Sequence, residues 1–237
     1  GPLTVFAPTD RAFLKLGNET LRTLINDPQT LSDILLTHVV AGEIFAADVL
    51  AGGTAAPLSG QELLFNATPF GAYINTSRVT TPNVQLQNGV LHAIDAVIVP
   101  PQPTVVDALV AFPEFNTLVD AVGVADLAGA LSGDGPFTVF APLDSAFAAL
   151  PTPALNALLA DPKALAGVLT YHVVPGEFFA ADVVALPGAT TLQGQDVTFS
   201  VQDGEVFVNS SKVVATDIRV GNGVLHFIDT VLEIPGS

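Results

Sequence analysis

The chain has 237 residues, with 7 Lys and Arg against 23 Asp and Glu, which gives a formal net charge of −16. This charge repels nucleic-acid phosphates and anionic lipid headgroups, so we exclude both as direct partners. The chain contains no cysteine, which excludes disulfide and thiolate chemistry, and no apolar run reaches the roughly 18 residues that span a bilayer.

The sequence is an internal duplication. Residues 1–101 and 135–235 align without insertion or deletion, and the pentapeptide Asn-Gly-Val-Leu-His recurs at 88–92 and 222–226. A repeat of this length indicates a duplicated domain rather than a solenoid of short units. The segment 103–134 precedes the second copy and has no counterpart before Gly1.

The first half of each copy has the pattern of a short strand followed by helices. The strand Leu3–Phe6 ends at Ala-Pro, since proline cannot donate to a sheet ladder. Asp10, and Asp144 in the second copy, are predicted to cap the next helix. A further helix is predicted over Leu21–Ile25, and Asp27-Pro28 is typical of a helix start because it combines an N-cap with a first-turn proline.

The second half of each copy has the pattern of short strands. Residues Val197–Val201 and Glu205–Asn209 alternate with period two around the turn Asp203-Gly204. After Asn-Gly, each copy continues into what we predict to be one long strand, Val90–Val99 or Val224–Ile234. Helices early and an antiparallel or mixed sheet later predict the α+β class.

The segment between the copies has two parts. Residues 100–103, Pro-Pro-Gln-Pro, predict a short stiff linker. Residues 104–132 then show apolar side chains at helical spacing. We therefore predict two domains, 1–101 and 102–237, of which the second includes these helices.

Three sequence boxes resemble those of the fasciclin domain. Val139–Phe147, Tyr171-His172 and Asn222–Asp229 match all three in the second copy, and Val5–Phe13 and Asn88–Asp95 match two in the first. In the first copy Thr37-His38 keeps only the histidine of the remaining box. The resemblance implies tandem fasciclin-like domains, each a β-sheet wedge or sandwich with a cluster of short helices.

The resemblance also implies that helices precede the first box. Residues 102–237 therefore form a complete domain, whereas residues 1–101 lack the helices and leave an apolar face open. Each uncovered large side chain forgoes roughly 1.5–3 kcal/mol of burial. We expect that face to be covered, either by a further segment of the molecule or by another chain through self-assembly.

The histidines fall at equivalent positions of the two copies: His38, His92, His172 and His226. A metal site could be drawn from His92 with Asp95, or from His226 with Asp229, but strand positions three apart point to opposite faces. We expect histidines hydrogen-bonded within the fold, with a haem or metal site as the alternative, and we predict no cofactor.

A Ser-His-Asp hydrolase could be assembled from Ser145, His172 and Asp229. No Gly-x-Ser-x-Gly elbow accompanies these common residue types. We therefore predict that the protein is not an enzyme.

Two elements of the resemblance suggest interaction residues. In the family the Tyr-His dipeptide is associated with folding and adhesion, which implicates Tyr171 and His172, with His38 as the first-copy counterpart. Some animal relatives use an Asp-Ile dipeptide for integrin recognition, and Asp217-Ile218 occupies that place. The alternative is that Ile218 is strand core and Asp217 a turn charge.

Four asparagines satisfy the N-glycosylation pattern: Asn18, Asn66, Asn75 and Asn209. Asn75 and Asn209 are repeat equivalents, so a role in turns explains them equally well.

These features predict an extracellular or cell-surface adhesion protein. It would act through protein–protein contacts of its tandem domains with other proteins, matrix or cell-surface components, and would be secreted, periplasmic or cell-surface in location. The chain is also a possible structural subunit of a larger assembly. The alternative is a periplasmic or extracellular binder of a small ligand or cofactor, which requires an apolar pocket with a few convergent polar groups.

Overall fold

A computed structural model describes residues 1–235, and the chain divides into two compact units, residues 1–102 (unit 1) and residues from 103 onwards (unit 2). Each unit contains one seven-stranded sheet and several short helices. The predicted α+β class is confirmed. Among the described residues, every helix is too short or too polar to cross a membrane.

Unit 1 consists of four helices and seven strands. In chain order they are β1 Leu3–Pro8, α1 Asp10–Lys15, α2 Asn18–Asn26, α3 Pro28–Thr37, β2 Val39–Ala41, α4 Ala46–Leu50, β3 Gly53–Ala55, β4 Leu63–Thr68, β5 Gly71–Ile74, β6 Ser77–Leu86 and β7 Gly89–Ile94.

Unit 2 repeats this order after an additional helical segment. That segment comprises α5 Val105–Ala111, a 3₁₀ turn Pro113–Phe115, α6 Asn116–Val124 and α7 Ala128–Leu131. The repeated part comprises β8 Phe137–Pro142, α8 Asp144–Ala148, α9 Thr152–Ala160, α10 Pro162–Tyr171, β9 Val173–Pro175, α11 Ala180–Ala185, β10 Gly188–Thr190, β11 Asp196–Gln202, β12 Glu205–Val208, β13 Ser211–Val220 and β14 Gly223–Ile228.

The two sheets share one topology. The strand order is β2-β1-β7-β6-β5-β4-β3 in unit 1 and β9-β8-β14-β13-β12-β11-β10 in unit 2. The first long strand lies parallel to the last one, β1 to β7 and β8 to β14, and the other pairs are antiparallel. The sheets are therefore mixed, as the sequence pattern indicates.

The parallel pair requires a glycine at the start of the last strand. Gly223 has φ 156°, and a Cβ atom placed there would lie 2.0 Å from the carbonyl oxygen of Phe137. Gly89 has φ 152° and would meet the carbonyl oxygen of Leu3 at 1.8 Å. The Asn-Gly of each repeat thus permits the close approach of two backbones.

The predicted helix starts are confirmed at Asp27-Pro28 and are wrong at Asp10 and Asp144. Asp27 accepts the N–H of Thr30 and caps α3, with Pro28 in the first turn. The N-cap of α1 is Thr9, one residue earlier than predicted. Asp144 lies in the first turn of α8, and its carboxylate accepts the N–H of Thr117 at 2.7 Å instead.

The predicted long final strands are wrong, because β7 ends at Ile94 and β14 at Ile228. The next residue in unit 2, Asp229, accepts the backbone N–H of Lys212 through its carboxylate at 3.0 Å. Its own N–H donates to the carbonyl of Lys212. These two hydrogen bonds end the pairing of β13 with β14, and the chain then leaves the sheet towards the end of α10.

Each sheet buries an apolar core on one face. In unit 2 this core contains Phe140, Tyr171, Val174, Val183, Val197, Phe199, Val208, Val213, Ile228 and Leu232. In unit 1 it contains Phe6, Val40, Val49, Leu63, Phe65, Ile74, Ile94 and Ile98. Repeat-equivalent residues thus build both cores.

In unit 2, α5–α7 cover the opposite face of the sheet. The rings of Phe112 and Phe115 meet Phe227 of β14 edge-on, with centroid distances of 5.5 and 4.7 Å. The prediction of helices over residues 104–132 is confirmed. Unit 1 has no counterpart of these helices within the described residues.

Candidate functional site

One histidine in each unit joins the end of a helix to the segment that follows the last strand. In unit 2, Nδ1 of His172 lies 2.8 Å from the carbonyl oxygen of Val168, and Nε2 accepts the backbone N–H of Leu232 at 2.9 Å. His38 makes the same two contacts in unit 1, with Ile34 at 2.8 Å and Ile98 at 3.0 Å.

These contacts fix the protonation state of the ring. Nε2 must be an unprotonated acceptor because it faces an N–H, so the proton lies on Nδ1 and the ring is neutral. Burial lowers the pKa of His172 to about 4, against the weaker opposite effect of its hydrogen bond to Val168. Burial also lowers the pKa of His38.

The other histidine pair holds the start of the helix after the second strand. Nε2 of His226 lies 2.8 Å from the carbonyl oxygen of Phe178, and the ring stacks on Phe140. His92 is bonded in the same way to the carbonyl oxygen of Ile44 and contacts Phe6. Burial lowers the pKa of His226, with smaller opposing effects from Phe178 and from the Asp217 carboxylate.

Asp217 is a bulge residue of β13. It has φ 61°, its Oδ1 accepts the N–H of Ala180 at 2.7 Å, and it is only partly exposed. Asn83 has φ 59° and makes the matching bond to Ala46 at 2.8 Å. The two side chains bind the N-terminal turns of α11 and α4, and an amide serves this purpose as well as a carboxylate.

The predicted interaction residues have little exposed surface. Tyr171, His172, His38 and Ile218 are all buried. The hydroxyl of Tyr171 donates to the carbonyl of Asp196 at 3.0 Å and accepts a hydrogen from Asn209 at 2.9 Å. A direct contact of these four side chains with a partner would require local opening, so we expect them to act through the surfaces that they position.

The predicted glycosylation sites differ in exposure. Asn18 is exposed at the start of α2, whereas Asn66 and Asn75 are buried. Asn75 and Asn209 both have φ 53°, and their side chains accept the N–H of Leu64 and Thr198 across the hairpin. These two asparagines thus form turns, as the alternative interpretation expects.

The hydrolase residues do not form a triad. Ser145 is exposed in the first turn of α8, both ring nitrogens of His172 bind backbone groups, and Asp229 accepts the N–H of Lys212. Within residues 1–235, no three His, Asp or Glu side chains are grouped so that they could hold a metal ion.

Unit 2 contains an open groove with a volume of about 670 Å³. Its lining residues come from the connection between α8 and α9, from α9 and α10, from the turn after β12 and from the C-terminal segment: Leu150, Ala154, Leu158, Val168, Asn209, Ser210, Val231, Leu232, Glu233, Ile234 and Pro235. His172 binds Leu232, and Tyr171 binds Asn209, so the motif residues position two walls of this groove. The sequence alone did not indicate the groove, because its aliphatic residues and the polar residues Asn209, Ser210 and Glu233 come from segments that are distant in sequence.

Comparison with known proteins identifies one family. The family model described as the Fasciclin domain matches residues 1–100 and 113–235. A domain pair from the insect cell adhesion molecule Fasciclin I has a similar structure, with a TM-score of 0.55 and 19% sequence identity. The similarity covers 98% of this chain and 89% of that chain.

Curated relatives are both bacterial and animal. Protein sll1483 of Synechocystis sp. is 47% identical over 134 residues, which are 56% of this chain and 74% of that protein. Transforming growth factor-beta-induced protein ig-h3 of Sus scrofa is 33% identical over 99% of this chain, and human periostin is 30% identical over 100%. The chain spans 33% of the length of ig-h3 and 29% of periostin.

Proposed function

The chain belongs to the fasciclin domain family, and from this premise we propose that it is an adhesion or interaction protein. It acts outside the cell or at the cell surface, through contacts of its tandem domains with other proteins or matrix components. The domain pair of an insect cell adhesion molecule has the same fold, which supports this function.

The observation that carries the proposal is the groove of unit 2. Its apolar lining is accessible, and its walls are held by Tyr171 and His172. An apolar recess of this kind accepts the large side chains that anchor protein interfaces. The motif dipeptide thus has an indirect part in adhesion, as the support of a contact surface.

Tandem copies would strengthen such contacts. Two weak sites on one chain raise the overall affinity through effective concentration, without any new contact. We propose no catalytic step, because His172 uses both ring nitrogens to bind backbone groups.

Bead aggregation tests this function. Beads coated with the full chain are mixed with cells of the native source, and the groove variant Leu158→Glu is compared with Val184→Glu, which changes an exposed residue of α11. We expect clustering by the unaltered chain and by the control variant, with strong loss for the groove variant. Clustering that all three proteins share, or that none shows, contradicts the proposal.

Binding of a small ligand is the second candidate function, and the size of the groove favours it. Ligand sites commonly enclose roughly 300–1,000 Å³, and the groove combines aliphatic walls with Asn209, Ser210 and Glu233. A ligand that raises the melting temperature of the unaltered chain, but not that of Leu158→Glu, would support this function.

A role as subunit of a larger assembly stays a prediction. Light scattering on the purified chain tests it, since an assembly has a mass far above that of one 24.4 kDa chain.

A further inference from the structure

The three most exposed large apolar side chains among residues 1–235 lie on short helices. Leu14 of α1 is 70% exposed, Ile25 of α2 is 62% exposed and Val110 of α5 is 64% exposed. Single apolar side chains on a surface need no explanation, but each of these three has a charged neighbour on the same side of its helix. The sign of that charge differs between the two units.

In unit 1 the charged neighbours are basic. Arg11 lies three residues before Leu14, and Arg22 lies three residues before Ile25, a spacing that places the members of each pair on one side of a helix. Both arginines are exposed, and neither forms an ion pair within the described part of the chain. We call this surface of α1 and α2, which carries these four residues, the basic face.

The same side of the helices has a different chemistry in unit 2. The positions of Arg11, Arg22 and Leu14 hold Ser145, Asn156 and Ala148, which are exposed as well. This side is therefore open to solvent in both units. Residues 10–26 contain three basic and two acidic residues, a net charge of +1, whereas the only charged residue among residues 144–160 is an aspartate.

In unit 2 the charged neighbours of exposed apolar side chains are acidic. Asp107 lies three residues before Val110 on α5, and Asp120 lies four residues before the half-exposed Val124 on α6. Both aspartates are exposed, and α5 contacts α6 in the layer that covers the sheet. We call the solvent side of this layer, with these four residues, the acidic face. Residues 103–134 contain five acidic residues and no Lys or Arg.

The two faces match each other in kind and oppose each other in charge. Each combines two exposed aliphatic side chains with two charges at helical spacing, and aliphatic burial beside opposite charges is typical of specific protein contacts. A contact of either face with itself would instead bring like charges together, which costs free energy. The chain thus supplies both halves of one contact, on different units.

We propose that the basic face of unit 1 docks on the acidic face of unit 2 in a second copy of this chain. Arg22 and Asp120 are each the fifth residue of a nine-residue helix, and they form the central charge pair of the contact. Ile25 and Val124 bury each other beside that pair. Because two different faces meet, the contact is heterologous, and copies joined by it form a ring or a filament.

The distribution of charge over the chain favours this contact over others between copies. Unit 1 contains 4 of the 7 Lys and Arg and 8 of the 23 Asp and Glu, so its net charge is −4 and that of unit 2 is −12. Two copies of unit 2 therefore repel each other most strongly. The contact goes beyond the proposed adhesive function and uses no residue of the groove.

Sedimentation velocity over a concentration series from roughly 10 μM to 1 mM tests the contact. We expect the mean mass of the unaltered chain to rise from 24.4 kDa to that of two chains or more. Arg22→Glu and Asp120→Arg should each weaken the association by roughly tenfold or more, because each places like charges opposite one another. An equimolar mixture of the two variants should associate again, since each variant then meets an opposite charge on the other.

Lys163→Glu and Glu177→Arg are the matched controls. They reverse exposed charges of unit 2 outside both faces and change the net charge by the same amounts as Arg22→Glu and Asp120→Arg. Both controls should associate like the unaltered chain, and circular dichroism should show the same fold in all four variants.

Three results would each overturn the proposal. They are an unaltered chain that stays at 24.4 kDa at every concentration, reversals at Arg22 and Asp120 that act no more strongly than the controls, and a mixture of the two variants that stays monomeric. Leu158→Glu in the groove should leave the association unchanged, so this proposal and the groove proposal fail independently.

Discussion

Nε2 of His172 accepts the backbone N–H of Leu232 at 2.9 Å, across 60 residues of sequence. The bond exists only for the neutral ring, since a protonated Nε2 would face the N–H with a second hydrogen. The histidine of the Tyr171-His172 dipeptide therefore holds the segment that follows β14. His38 holds the equivalent segment after β7 in unit 1 through the N–H of Ile98.

This bond predicts acid sensitivity. Burial lowers the pKa of His172 from 6.5 to about 4, so between these values the unfolded chain binds more protons than the folded one. The neutral His172 therefore contributes to the free energy of unfolding above pH 6.5. This contribution, about 3 kcal/mol, is lost as the pH falls towards 4. Urea unfolding at pH 7 and pH 4.5 measures the loss. In His172→Gln the difference between the two pH values should shrink by a similar amount, and an unchanged difference would disprove the assignment.

The bulge at Asp217 predicts that an amide can replace the carboxylate. Asp217→Asn should change the free energy of unfolding by less than about 0.5 kcal/mol, because Asn83 makes the same bond in unit 1. Asp217→Ala should cost about 1–2 kcal/mol, since it removes the bond to Ala180 and places alanine, which lacks the local hydrogen bonding of aspartate, at positive φ. Chemical denaturation compares the two variants.

The variant Asp217→Asn also tests whether a partner protein recognises the dipeptide Asp217-Ile218. If a partner binds the carboxylate of Asp217, Asp217→Asn should abolish cell attachment while the free energy of unfolding stays unchanged. Equal attachment by Asp217→Asn and the unaltered chain would assign the residue to the fold alone.

The aromatic cluster of unit 2 predicts a large effect of Phe227→Ala. Phe227 is fully buried between Phe112 and Phe115, so its removal should cost about 3–5 kcal/mol. Val201→Ala, at a residue that is 48% exposed, should change stability by less than about 0.5 kcal/mol. Calorimetry should show the shift in the transition of unit 2, and equal effects of both changes would contradict the role of the cluster.

The parallel strand pair predicts intolerance at Gly223. Gly223→Ala places a methyl group 2.0 Å from the carbonyl oxygen of Phe137 and should unfold or strongly destabilise unit 2. Gly129→Ala is the control, because it lies in α7 with open space around it and should gain up to about 1 kcal/mol. Circular dichroism melting curves distinguish the two.

Burial predicts the glycosylation pattern in a eukaryotic host that secretes the chain. Folded protein should carry glycans at Asn18 and none at Asn66 or Asn75, whose side chains are buried. Mass spectrometry of peptides measures the occupancy of each site. Folded, stable material with a glycan at Asn75 would contradict the turn geometry of that residue.

Local signals predicted much of the fold. Asp27-Pro28 starts a helix as expected, and Asp203-Gly204 forms the hairpin turn, both with positive φ. These features depend on neighbouring residues alone. The contacts of His172 with Leu232 and of Asp144 with Thr117 join distant segments, and no periodicity reports them.

The end of the final strand shows the same limit. The apolar residues between Val224 and Ile234 favour continued strand pairing. However, the pairing of β13 with β14 ends at Asp229, which binds Lys212, and the following Leu232 binds His172 instead of a neighbouring strand. The groove depends on this departure, since Val231–Pro235 forms one of its walls. Most residues of this groove are common aliphatic ones, so the sequence does not indicate a site until the path of the chain is known.

The parallel pairing of the first long strand with the last has a consequence for biosynthesis. During translation, β7 can pair with β1 only after about ninety residues have left the ribosome. Pairing of strands that are so far apart in sequence is slow. Thr-Val-Phe-Ala-Pro is identical in β1 and β8, and Gly-Val-Leu-His is identical in β7 and β14. A nascent first copy that is still open can therefore receive the wrong closing strand, so strand exchange is the folding error to which this duplicated architecture is most exposed.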